Sequence, residues 1–207
     1  RLPPSAPAAV ALPPRRRTGA ADIVVLGLST GGPQALRYLV PQLPADFPVP
    51  VAVVLHMLVG YTELYAKKLD EVSPLWVREA REGDLVAPGS VLVAPAGRHL
   101  SFLRAGNRDV VAHLDARPFD TPHRPSVDVL FCSAAEVYGA RTLGVVMTGM
   151  GSDGKAGAAW IKAKGGTVFT EAEASCVIYG MPRAVDEAGL SDRSVTLDTM
   201  AQAILES

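Results

Sequence analysis

Three stretches of the chain carry residues whose types and neighbours suit acyl transfer. The first, Gly27-Leu28-Ser29-Thr30-Gly31-Gly32, sets a serine in a G-x-S-x-G frame. Between a strand and a helix, such a frame lets the backbone turn sharply and lifts the hydroxyl above the sheet. The second is His56, which ends an apolar run over 51–55. An imidazole at the same sheet edge as a serine can serve as its general base. The third is Asp153 in Thr148-Gly149-Met150-Gly151-Ser152-Asp153-Gly154, following the apolar run 142–147. An acid in a glycine-rich turn is usually a helix cap. On a strand tip beside Ser29 and His56 it can complete a triad, which is recognised by geometry and not by chain order. The order Ser, His, Asp differs from the Ser, Asp/Glu, His of α/β-hydrolases, so this triad is a convergent one. A rival reading has Gly31 and Gly32 cradling a phosphate at the helix start. The G-x-G-x-x-G register is missing, however, and no lysine follows to neutralise phosphate charge. Of the other histidines, His99, His113 and His123 are weaker candidates.

Those residues need strands to carry them to one edge. Short apolar runs at 23–26, 51–55, 142–147 and 167–170 read as buried strands. Helical spacing recurs at 33–40, 61–72, 126–137, 155–164, 182–188 and 199–205. On the 126–137 segment Val127, Leu130, Phe131 and Ala134 share one face. Residues 76–114 break this rhythm with short extended pieces split by Gly, Pro and Asn, and read as antiparallel hairpins. The expected fold is therefore α/β: a doubly wound, mostly parallel sheet with helices on both faces and an inserted antiparallel hairpin region. In such a sheet ligands gather at the carboxyl ends of the strands, where Ser29, His56 and Asp153 fall.

The 207 residues are 48% hydrophobic, with a formal net charge of −1. That composition excludes a disordered chain. The balance of 20 basic against 21 acidic residues argues against a nucleic-acid partner. No apolar stretch is long enough for a membrane span. Two cysteines, Cys132 and Cys176, form no metal-binding or redox spacing, so a reducing cytoplasm is expected, with no metal and no cofactor. There are 19 glycines and 17 prolines. Five of the prolines lie in residues 1–22 with six alanines and four arginines, a composition that reads as an interdomain linker or disordered tail. Residues 23–207 then form a single catalytic domain.

These motifs, together with His123-Arg124-Pro125-Ser126-Val127-Asp128, Glu173-Ala174-Ser175-Cys176 and Tyr179-Gly180-Met181-Pro182-Arg183, resemble the catalytic domain of the CheB family. Its members are the chemoreceptor protein-glutamate methylesterases of bacterial chemotaxis. The resemblance runs in family order from about residue 23 to the C-terminus. It implies Ser29 as nucleophile, His56 as base and Asp153 as the acid orienting His56, with Thr30 beside the nucleophile and Met150 near the forming oxyanion. It further implies hydrolysis of glutamate methyl esters and deamidation of specific receptor glutamines. The partners it implies are chemoreceptor cytoplasmic helices and an N-terminal receiver domain joined through a linker such as residues 1–22. Alternatives are a receptor-binding module without turnover, or a nucleotide-binding α/β domain. Leu55, the pair Leu58-Val59 and the pair Glu171-Ala172 depart from the family pattern. They are expected at the rim of the site, where they bear on substrate preference.

Overall fold

Runs of Val, Ile and Leu without polar interruption set where a parallel sheet lies, because its strands are covered on both faces. In the computed structural model, which describes residues 20–106 and 109–207, seven strands form one sheet. They are β1 (Ile23–Leu28), β2 (Val51–Leu55), β3 (Trp76–Glu79), β4 (Ser90–Val93), β7 (Thr142–Val146), β8 (Thr167–Glu171) and β9 (Arg193–Val195). Their order is β3-β4-β2-β1-β7-β8-β9, and every pairing is parallel. The remaining two, β5 (His99–Ala105) and β6 (Asp109–Asp115), pair antiparallel as a separate hairpin. The leader expected over residues 1–22 lies, up to residue 19, outside the described residues.

The alternation of side chains along β1 shows how the layers divide. Val24, Leu26 and Leu28 face a core shared with α1 (Gly32–Leu39), α2 (Thr62–Asp70) and α6 (Leu197–Leu205). Ile23 and Val25 face the opposite core, built with α3 (Val127–Tyr138), α4 (Lys155–Ala163), α5 (Met181–Glu187) and the β5–β6 hairpin. This is the doubly wound arrangement that the apolar periodicity predicts.

One expectation needs correcting. Residues 76–79 and 90–93 belong to the parallel sheet, so the hairpin region starts only at His99. The Ser90–Val93 run is buried at every position, the mark of an internal parallel strand, whereas the hairpin strands mix buried and open positions. The order places β1 between β2 and β7, and the chain winds outward in both directions from there. That reversal makes a crevice at the carboxyl ends of the central strands.

Phe131 is fully buried, and its ring fills the space beside Gly144 on β7. Phe131→Ala is expected to lower the free energy of unfolding by about 3–5 kcal/mol, read from urea denaturation.

Candidate active site

The main-chain ladder runs past the strand ends and brings the three chemical residues together. Ser29 N–H donates to the Thr148 carbonyl at 2.9 Å, and His56 N–H donates to the Leu28 carbonyl at 3.0 Å. Ser29 therefore lies between the tip of β2, which carries His56, and the tip of β7, which leads into the turn holding Asp153. Gly31 starts α1 with φ of 83°, a left-handed conformation that glycine adopts without strain. Gly149 stands against Ser29 so closely that a Cβ there would lie 2.8 Å from the Ser29 Cβ. Both glycines let the chain turn tightly around the serine. Ser29, Thr30, Gly31, Pro33, Gln34, His56, Met57, Leu58 and Tyr61 line one open, largely apolar cleft of about 460 Å³. Two larger clefts, of about 720 and 490 Å³, lie elsewhere. One is between α2 and β3, and the other is at the amino-terminal edge of the sheet. Neither holds Ser29, His56 or Asp153.

His56 Nε2 and Asp153 Oδ2 are 2.8 Å apart, and both side chains are largely buried. A carboxylate accepts, so Nε2 carries the proton. The other ring nitrogen, Nδ1, is buried and has no hydrogen-bond partner among the described residues. That leaves Nδ1 as the basic nitrogen, the reverse of the chymotrypsin template, where Nε2 faces the serine. The His123 ring stacks on His56, with centroids 4.0 Å apart and planes 19° from parallel. Burial, and next the neighbouring His56, hold the His123 pKa below the usual histidine range. His123, a weaker candidate from the sequence because it lies in a Pro-rich loop, thus packs directly against His56.

Asp153 is itself held by the start of α3. Ser126 Oγ–H donates to its Oδ1 at 2.9 Å, Val127 N–H to Oδ2 at 2.8 Å and Asp128 N–H to Oδ1 at 2.9 Å. Asp128 returns the arrangement, its Oδ1 accepting from Gly154 N–H at 2.9 Å and Gly157 N–H at 2.7 Å at the start of α4. Each helix start is thus capped by an acid that leads into, or lies in, the other helix. Burial acts to raise the Asp153 carboxyl, yet His56 and the N–H groups of Asp128 and Val127 outweigh it and hold its pKa at about 2. Asp128 moves the other way: burial and the Asp153 charge raise it above the usual carboxylate range, against the opposing N–H groups of Gly157 and Gly154.

Thr148 ties down the opposite side of the turn that carries Ser29. Its Oγ1 donates to the Thr30 carbonyl at 2.8 Å and accepts from Val177 N–H and Ile178 N–H at 3.1 Å each. Its own N–H reaches Glu171 Oε2 at 2.9 Å, and Glu171 Oε1 accepts from the Ser175 hydroxyl at 2.9 Å. Thr30 and Met150 are both exposed beside this turn. Of the departures expected at the rim, Leu58 and Val59 fit, being 76% and 73% exposed, and Ala172 is half-buried. Leu55 and Glu171 are fully buried, Leu55 because it fills the core beneath Gly32 and Glu171 because it receives the Thr148 and Ser175 donors. Among the described residues no group of three or more His, Cys, Asp or Glu side chains is placed to hold a metal ion, and no helix is long and apolar enough to cross a membrane.

Two measurements follow from the paired caps. Asp128→Ala, which strands two helix N–H groups, is expected to lower unfolding free energy by about 1–3 kcal/mol in urea melts. Asp128→Asn, which keeps an acceptor oxygen, is expected to lose much less. Asp153, lowered from an unfolded value near ~3.9, contributes stability that is complete above about pH 4 and disappears as the pH falls toward about 2. Asp128 carries the opposite sign, so the comparison belongs in an Asp128→Asn background. There, the gap in thermal stability between Asp153 and Asp153→Asn should close on acidification below pH 4.

Comparison with known proteins agrees with this architecture. The family model described as CheB methylesterase matches residues 24–204. Protein-glutamate methylesterase/protein-glutamine glutaminase 5 of Myxococcus xanthus is 52% identical over 187 residues, covering 90% of this chain and 53% of that protein. The Treponema pallidum protein-glutamate methylesterase/protein-glutamine glutaminase is 47% identical over 191 residues, covering 92% of this chain and 47% of that protein. The chain thus spans about half the length of the curated relatives it matches. The crystal structure of the Thermotoga maritima CheB methylesterase catalytic domain superposes with a TM-score of 0.87 at 42% identity, covering 90% of this chain and 98% of that one. With the matched region spanning the sheet, the hairpin and every strand tip described above, the chain belongs to the CheB methylesterase family.

Proposed function

We propose that this chain is a protein-glutamate methylesterase that also deamidates specific glutamines, acting through Ser29, His56 and Asp153. The observation that carries the reading is the His56 ring, bonded to Asp153 through Nε2 while Nδ1 stays free beside the cleft that Ser29 lines. In this scheme Nδ1 takes the Ser29 proton as Oγ attacks the side-chain ester carbonyl. Donors near Thr30 and Met150 would stabilise the developing oxyanion, a well-placed donor of this kind being worth about 3 kcal/mol. His56 then returns the proton to the departing methoxide oxygen, releasing methanol and leaving a glutamyl ester on Ser29. Water, deprotonated by His56, attacks that ester and frees the glutamate and Ser29. Asp153 keeps the ring in its Nε2–H tautomer and stabilises the imidazolium formed in each half. An amide follows the same path with ammonia as the leaving group.

The rim of the cleft suits a protein substrate. Leu58 and Tyr61, exposed apolar side chains, line the cleft, with the exposed Val59 next to Leu58 in the chain, a pattern that marks interaction surfaces. Methylated chemoreceptor helices are the substrate we infer, by way of the family and the relatives' names. The same family reading assigns a receiver domain as the regulatory partner and the cytoplasm as the compartment. The free, half-buried Cys132 and Cys176 suit that compartment, burial pushing their thiols up to about 11 and about 12.

Methanol release from methylated receptor tests the assignment. Ser29→Ala is expected to lower kcat by about 10⁴-fold or more, and Asp153→Asn by about 10⁴-fold through loss of the correct tautomer. Undiminished release from Ser29→Ala would overturn the mechanism.

A further inference from the structure

The loop between β6 and α3 passes over the catalytic residues, and one buried side chain holds it at both ends. His99, the first residue of β5, is 1% exposed. Its Nδ1 accepts the backbone N–H of Ser126 at 3.1 Å. An amide N–H only donates, so Nδ1 is unprotonated and the proton sits on Nε2. From there it is donated to the Pro118 carbonyl at 3.0 Å, with Thr121 Oγ1 at 3.3 Å. Burial is the chief influence on the ring and lowers its pKa, keeping it neutral. The Pro118 carbonyl opposes that shift, Arg124 adds to it, and Asp153 and Asp115 oppose it.

What His99 holds is the cradle of the acid. Ser126 gives its backbone N–H to His99 and its hydroxyl to Asp153, and the next two N–H groups also go to Asp153. Between Pro118 and Ser126 the loop carries His123, the ring stacked on His56. We propose that His99 is a positioning residue, pinning Ser126 and the 118–126 loop so that Asp153 and His123 hold His56 in the orientation the chemistry needs. The inference rests on the reading of Ser29, His56 and Asp153 as a triad.

The test labels the whole chain with a fluorophosphonate and needs no receptor. Ser29 Oγ forms a bond to phosphorus, the P–F bond breaks, fluoride departs and His56 keeps the serine proton. Wild type should label at Ser29 and Ser29→Ala should not. In His99→Leu the maximal labelling rate should fall by about 10²-fold with the half-saturating concentration little changed, because the machinery is misplaced and the cleft is intact. His99→Asn sets its Oδ1 where Nδ1 stood and keeps an acceptor for Ser126, so its rate should stay within about 3-fold of wild type. His99→Gln keeps a donor for Pro118 and loses that acceptor, so it should fall with His99→Leu. The Asn–Gln contrast carries the test even where His99→Leu does not fold. An unlabelled wild type overturns the triad reading and this inference with it. A labelled wild type with His99→Leu at the same rate, or with Asn and Gln variants alike, overturns the role of His99 alone.

Discussion

A carboxylate withdrawn from water must recover its hydrogen bonds from the protein, and at Asp153 four donors supply them. Oδ2 receives His56 Nε2–H and Val127 N–H, and Oδ1 receives the Ser126 hydroxyl and Asp128 N–H. With two donors on each oxygen the carboxylate is held against rotation, and it anchors the imidazole through Nε2. The start of α3 extends this constraint to the strand that carries Ser29. Val127 gives its N–H to Asp153 and packs its side chain on Gly27 of β1, where even a Cβ would lie 2.3 Å from it. One residue therefore fixes the acid and the strand that carries Ser29.

Thr148 does the same from the other flank by means of a hydroxyl. It joins the tip of β7 to the Thr30 carbonyl and to the 177–178 segment, and Glu171 anchors it from below. The turn carrying Ser29 is thus fastened by backbone and side-chain hydrogen bonds on both sides, and the cleft opens along the remaining edge toward Leu58 and Tyr61. Rigid elements hold the reacting groups while exposed loop residues form the mouth, the division of labour expected of a preorganised site.

Most of this architecture is legible in the chain because it rests on local signals. Apolar runs mark the parallel strands, period-3.6 spacing marks the helices, and glycine-rich stretches after strands mark the turns that hold Ser29 and Asp153. The errors share a cause as well. The Ser90–Val93 run is short enough to pass for part of a hairpin, and only its pairing with β2 and β3 gives it a parallel partner. His99 and His123 look like ordinary histidines because their partners lie far along the chain, Ser126 for one and His56 for the other. Glu171 looks like a rim residue until its two donors, Thr148 and Ser175, are seen above it in the fold. Periodicity reports which face a residue takes and is silent on the side chain it meets there.

His56 and Asp153, which touch at 2.8 Å, are 97 positions apart in sequence, with α2, β3, β4, the hairpin, α3 and β7 between them. Closing so long a loop is entropically slow, and parallel pairing offers no local turn to begin from. The order of synthesis adds to this: no chain still shorter than Asp153 can contain the pair, however much of the sheet has formed. The His56–Asp153 contact therefore forms only as the central strands come together and does not build up gradually. A newly made or partly unfolded copy therefore lacks the His56–Asp153 pair until the central strands have closed.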